Sequence, residues 1–298
     1  MNRWDVTLHK KGVSREQRQA YEQLAKLHDF RGEQPDWADS VCYLYPKPNP
    51  MAALRDMGIR VVPVLAGALD DNTASKTVNR LRTNVDPWKG ETHTWKVNEL
   101  VGLLIRDITS HEFVLGEWGS GVHLRDIESH RGQIPEFTKQ ILEWYKRNKD
   151  RTPEERRIAD LHSNLRNRLD AAAWLGKKKS TEAVVPLANR IETILAFGQD
   201  SSAEAELAED TLALGRIGDP KGYAALRKAC DSLSQSQPRS PGSSAIQDLF
   251  KAYEGLALLG HKKEALAELK RIYEQQGAKM EPLRRKEYQA QLSAAATW

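Results

Sequence analysis

Apolar residues along most of this chain recur three and four positions apart, the spacing that turns one face of an α-helix toward a core. Tyr21, Leu24 and His28 share such a face in the first segment, residues 14–28, where Ser14 and Gln17 stand at capping-box spacing. Asn49-Pro50 opens a second helix. The same periodicity predicts helices over 98–108, 135–147, 153–175, 181–197, 203–214, 245–259, 262–275 and 282–296. Thr152-Pro153-Glu154-Glu155 is a strong start signal, with a capping threonine, a proline in the first turn and a glutamate at the box position.

Three stretches break the pattern. Residues 31–48 hold prolines, aspartates and the run Val41-Cys42-Tyr43-Leu44-Tyr45, which suggests an extended segment packed as a loop. Residues 83–96 and 110–131 gather Trp88, His93, Trp95 and Trp118 at turn-rich positions. Loops of this length inside compact domains are usually functional or flexible. Residues 232–244 are mostly Ser, Gln, Pro and Gly, and read as a mobile connection between the last two hairpins.

An internal repeat organises the second half. Leu-Gly recurs as Leu175-Gly176, Leu214-Gly215 and Leu259-Gly260, at spacings of 39 and 45 residues, with Met57-Gly58 as a weaker version. Around the middle copy, Gly215 and Gly218 suit a helix end, Asp219 can cap the next helix, and Pro220 fits a first turn that needs no backbone donor. Val61-Val62-Pro63-Val64-Leu65 and Val184-Val185-Pro186-Leu187-Ala188 each follow a Gly-terminated helix, 123 residues apart, which holds three units of 41. Residues 211–229 closely resemble the signature of the HEAT-repeat (armadillo-type) superfamily, whose period of roughly 40 to 47 residues is a helical hairpin. The resemblance covers residues 170–275 and, weakly, 51–69. It implies an all-α, HEAT-like α-solenoid of about six irregular hairpins with an aromatic-rich insertion, divided into a degenerate region 1–150 and a repeat region 151–298.

Composition is that of a folded chain: 298 residues, 40% hydrophobic, 29% charged. The apolar runs fall short of the roughly 18 residues of a membrane helix, and the start at Met1 has no apolar signal stretch, so a cytoplasmic location is expected. Export with a signal already removed fits the same residues. Cys42 and Cys230 stand in no metal-binding spacing and form no disulfide framework. The net charge of +4 is sorted along the sequence. Residues 131–190 carry 14 Lys or Arg against 8 Asp or Glu, a local +6. Residues 191–219 reverse it, with Glu192, Asp200, Glu204, Glu206, Glu209, Asp210 and Asp219 against Arg216 alone. Neighbouring helices could satisfy one another across a stack, or the basic part could attract phosphate.

No phosphate loop, nucleophile elbow or His-Glu-x-x-His helix is found, and the spacings of His111, His123 and His130 match no metal pattern, so no catalytic residue, metal or cofactor is assigned. The candidate partner site is the aromatic insertion, where Arg82, Trp88, His93, Trp95 and Trp118 combine flat rings with donors that stack on a partner's side chains or on bases. Tryptophans that plug irregular junctions would have the same sequence. A second candidate is a basic ridge of Arg147, Lys149, Arg151, Arg156, Arg157, Lys177, Lys178 and Lys179, if consecutive turns share one edge. The HEAT resemblance implies a non-enzymatic protein-protein interaction scaffold whose partner is another protein. The alternative is a nucleic-acid-binding HEAT-like protein such as a DNA glycosylase, with weak nucleic-acid binding expected on the scaffold reading and no membrane partner on either.

Overall fold

The computed structural model describes residues 4, 12–29, 33–34, 49–80, 92–116, 121–197, 201–235, 245–277 and 280–298. Helix dominates, and the chain divides into two compact units, Met1–Asp150 and Arg151–Trp298.

The first unit packs helices α1 (Arg15–Leu27), α2 (Pro50–Asp56), α3 (Val62–Ala66), α4 (Val97–Thr109) and α5 (Ile134–Asn148) around Leu24, Leu54, Leu65, Leu100, Leu104, Phe137 and Ile141. The capping box of α1 forms as its sequence predicts, Ser14 Oγ accepting from Gln17 N at 3.1 Å and Gln17 Oε1 from Ser14 N at 2.9 Å. Asn49 caps α2 through Ala52 N at 2.7 Å.

Short strands interrupt these helices where loops were expected. β1 (Glu33–Gln34) pairs parallel with β2 (Ala74–Arg80), and β3 (Thr92–Lys96) pairs antiparallel with β2, with a register irregularity between Ala74 and Val78. β4 (Val114–Leu115) and β5 (Val122–His123) form a second antiparallel pair. The expected second helix at Val61-Val62-Pro63-Val64-Leu65 is only the short α3, entered through a tight turn over Gly58–Val61.

Asp71 ties this unit together. Its Oδ2 accepts from Trp4 Nε1 at 2.7 Å and lies 3.3 Å from His28 Nε2, and its Oδ1 accepts from Thr73 N and Thr73 Oγ1. Burial opposes the charge, yet the Thr73 and Trp4 hydrogen bonds and the nearby His28 hold the carboxyl below its usual range. The Asp71 carbonyl also accepts from Asn98 N, which fixes the entry of α4.

The second unit contains α6 (Pro153–Asp160), α7 (Leu165–Lys178), α8 (Val184–Phe197), α9 (Ser201–Ile217), α10 (Tyr223–Gln235), α11 (Ala245–Leu256), α12 (Lys262–Gln276) and α13 (Pro282–Ala295). The Thr152 and Glu155 capping box forms at the start of α6. The single helix expected over 153–175 is two helices, because Asn164 adopts extended backbone and its side chain caps α7 through Asn167 N. Likewise, α10 runs on through Gln235, so the first residues of the expected loop 232–244 are helical.

Helices α7, α9 and α11, each the first of a consecutive pair, lie in one row with α9 packed between α7 and α11, while α8 packs on α9 and α10, and α12 packs on α11. The Leu-Gly positions have a different role from the one their sequence suggests. Leu175 and Leu214 are buried core residues, but Gly176 and Gly215 lie inside α7 and α9 with ordinary helical backbone. They are the points where the backbones of neighbouring first helices meet. A Cβ on Gly176 would stand 2.7 Å from the Ala213 Cα, one on Gly215 would stand 2.1 Å from the Gly255 carbonyl oxygen, and one on Gly255 would stand 2.4 Å from the Thr211 carbonyl oxygen. The contact glycines are therefore 176, 215 and 255, spaced 39 and 40 residues apart. Leu259 is only half-buried, and Gly260 occupies a left-handed turn position with φ 105°. The turn after α9 does follow expectation: Gly218 has φ 78°, and Asp219 Oδ1 accepts from Lys221 N at 2.9 Å across Pro220.

Candidate functional site

Of the candidate residues of the aromatic insertion, Arg82, Trp88 and Trp118 lie outside the described residues. His93 sits on β3 opposite Asn79 of β2. Trp95, on the same strand, is half-buried and packs against the core of the first unit, while its carbonyl accepts from Ser75 Oγ at 2.8 Å. The histidines considered as ligands have local partners. His111 packs edge-on to Phe113 and beside Trp144, His123 Nδ1 lies 3.3 Å from Glu112 Oε1, and His130 Nδ1 lies 3.1 Å from the Asp126 carbonyl.

The basic ridge divides between the units. Arg147 and Lys149 are exposed at the end of α5, with Lys149 Nζ 2.6 Å from Asp150. In the second unit, Ser180 Oγ donates to Glu154, which sets the first turn of α6 beside the turn that carries Lys177, Lys178 and Lys179. These three lysines and Arg151 are exposed. Arg156 is half-buried, and Arg157 turns inward to within 3.8 Å of Asp160. Burial lowers the pKa of both arginines, more than the nearby Asp160 can offset.

The most distinctive polar constellation of the second unit lies between α7, α8 and α9. Arg168 Nη2 donates to Glu206 Oε1 at 2.6 Å, Arg190 Nη2 donates to Glu206 Oε2, and Arg190 Nη1 donates to Asp210 Oδ1 at 3.2 Å. Arg190 and Glu206 are 6% and 5% exposed and Asp210 is fully buried. Burial, with Glu206 and Glu209 nearby, outweighs the attraction of Arg190 and Arg168 and pushes the Asp210 carboxyl up to about 8.

Beside this network opens a cavity of about 460 Å³. Its lining combines Arg168, Arg190, Glu206 and other polar residues with Leu161, Ile194 and the exposed ring of Phe197. Sequence reading passed over these residues, although signals were present. Arg190 occupies the helical stripe of Leu187, Ile191 and Ile194, and Glu206 and Asp210 stand one turn apart among Leu207, Ala208, Thr211 and Leu212. Charges placed in an apolar stripe mark a buried pair.

Four acids of the stretch after residue 190 pair with cations of other helices. Glu192 pairs with Lys228 at 2.7 Å, Glu209 with Lys251 at 2.8 Å, and Glu206 and Asp210 with the two arginines. Charge sorting along the sequence thus becomes complementation between neighbouring helices. Among the described residues no three metal-ligating side chains gather, and no helix is long and apolar enough to cross a membrane. Comparison with protein-family models, with curated proteins and with solved structures finds no match for this chain.

Proposed function

We propose that this chain is a protein-protein interaction scaffold whose second unit is a HEAT-type array of helical hairpins. The observation that supports the reading is the row of first helices α7, α9 and α11, brought to backbone contact at glycines spaced 39 and 40 residues apart. Repeat arrays of this period bury a continuous core between neighbours and leave an extended surface for binding. Charge use speaks in the same direction. Arg168 and Arg190 pair with Glu206 and Asp210 between the helices, and of the ridge in this unit Arg157 turns toward Asp160 while Arg151, Lys177, Lys178 and Lys179 are exposed.

Fluorescence anisotropy on labelled duplex DNA at two salt concentrations tests this against the DNA-glycosylase alternative. The scaffold reading expects a Kd no tighter than about 10⁻⁶ M at physiological salt, weakening steeply as salt rises, without sequence preference. Tighter binding that survives high salt, or release of an alkylated base from the duplex, would replace the scaffold with the nucleic-acid reading.

A further inference from the structure

The cavity between α7, α8 and α9 has more hydrogen-bond donors than its own residues consume. Glu206 gives one oxygen to each arginine. The hydrogen bonds of Arg168 use Nη1, to the Ser163 carbonyl at 3.0 Å, and Nη2, while its Nε is buried without a hydrogen-bond partner. Those of Arg190 use one bond at each Nη. A guanidinium carries five N–H donors and no acceptor, so the bonds to Glu206, Asp210 and the Ser163 carbonyl leave several N–H donors of the pair unspent. The lining also holds the apolar side chains of Leu161 and Ile194, and Phe197, which lines it too, is 83% exposed, a ring with apolar area left to bury.

We propose that this cavity binds a carboxylate with an apolar body, the anion taken by Arg168 and Arg190 and the body by Leu161, Ile194 and Phe197. A cation is disfavoured because both oxygens of Glu206 are already engaged. The apolar lining residues favour a monoanion that carries carbon over free phosphate. Burial also raises the Asp210 carboxyl, which lessens the negative charge set against the two guanidinium groups. The chemistry could come from a free organic acid or from an acidic residue of a peptide beside an aromatic side chain. The site does not rest on the scaffold reading, since a free acid would occupy it with no protein partner present.

The test is a titration of the full chain followed by two-dimensional amide NMR, with phenylacetate, the uncharged methyl ester of phenylacetate, inorganic phosphate and the dipeptide acetyl-Phe-Asp-amide as probes. Saturable shifts at Ile194 and Phe197 are expected with phenylacetate or the dipeptide, and at least tenfold weaker binding with the ester and with phosphate. Whichever of the two carboxylates binds more tightly identifies the source. Phe197→Ser, a change at an exposed position, should weaken binding several-fold. Arg168→Lys, which keeps the charge and removes the guanidinium fork, should weaken it about tenfold with the helical circular dichroism unchanged. The proposal is overturned if neither carboxylate saturates, if the ester or phosphate binds as well, or if both variants bind like the parent.

Discussion

Replacing Gly215 by alanine should destabilise the second unit by about 3 kcal/mol or more, because the added methyl meets backbone and not a movable side chain. Its Cβ would fall 2.1 Å from the Gly255 carbonyl oxygen and 2.5 Å from the Gly255 Cα. Rotamer changes cannot relieve that contact, so α9 and α11 must separate and the core between them opens. Gly218→Ala is the natural control in the same region. Gly218 has φ 78° and nothing within 4 Å of a built Cβ, so its replacement meets only left-handed strain, about 1 to 2 kcal/mol. Chemical denaturation of both variants checks the pair. Equal costs would show that Gly215 matters for its backbone angles alone and that the first helices are not in contact there.

The second large effect is expected at Arg190. Arg190→Met leaves Glu206 with Arg168 alone and removes the hydrogen bond that the buried Asp210 accepts, and should cost about 2 to 4 kcal/mol. Adding Asp210→Asn, which keeps Glu206 paired with Arg168 and removes the buried acid, should recover part of the loss. A cost below about 1 kcal/mol for the single change would mean that water reaches the network. Asp210 adds a pH signature. Its folded pKa is raised, so its contribution is complete below the unfolded value near 3.9 and is lost as pH rises through about 8. Between pH 5 and 8 the parent should lose on the order of 1 kcal/mol of stability per pH unit from this group, and Asp210→Asn should lose that much less. A parent and variant with parallel pH profiles would place the ionised form of Asp210 in the folded protein.

Much of the helical layout was legible in the chain because it rests on local chemistry. Ser14 with Gln17, Thr152 with Glu155, and Asp219 with Pro220 act within a few residues of themselves, and each forms the cap or turn its sequence implies. What was misread depends on partners far away in sequence. Gly176 and Gly215 look like helix terminators beside leucine, yet their function is set by Ala213 and Gly255 on the next helix. Leu259-Gly260 therefore has the sequence of a third copy, while the contact counterpart of Gly215 is Gly255. β3 was read as loop because its pairing with β2 lies across an insertion. The buried network escaped for the same reason, since a single arginine on α8 carries no sign of the two acids on α9 that will receive it.

The scaffold reading is tested most directly by affinity capture with the full chain as bait from nuclease-treated lysate of the source cell, quantified by mass spectrometry against bare resin. One protein partner, enriched to near-equal molar amount with the bait and retained after nuclease, is the expected result. Capture that vanishes with nuclease treatment, or no protein above the resin background, would contradict it.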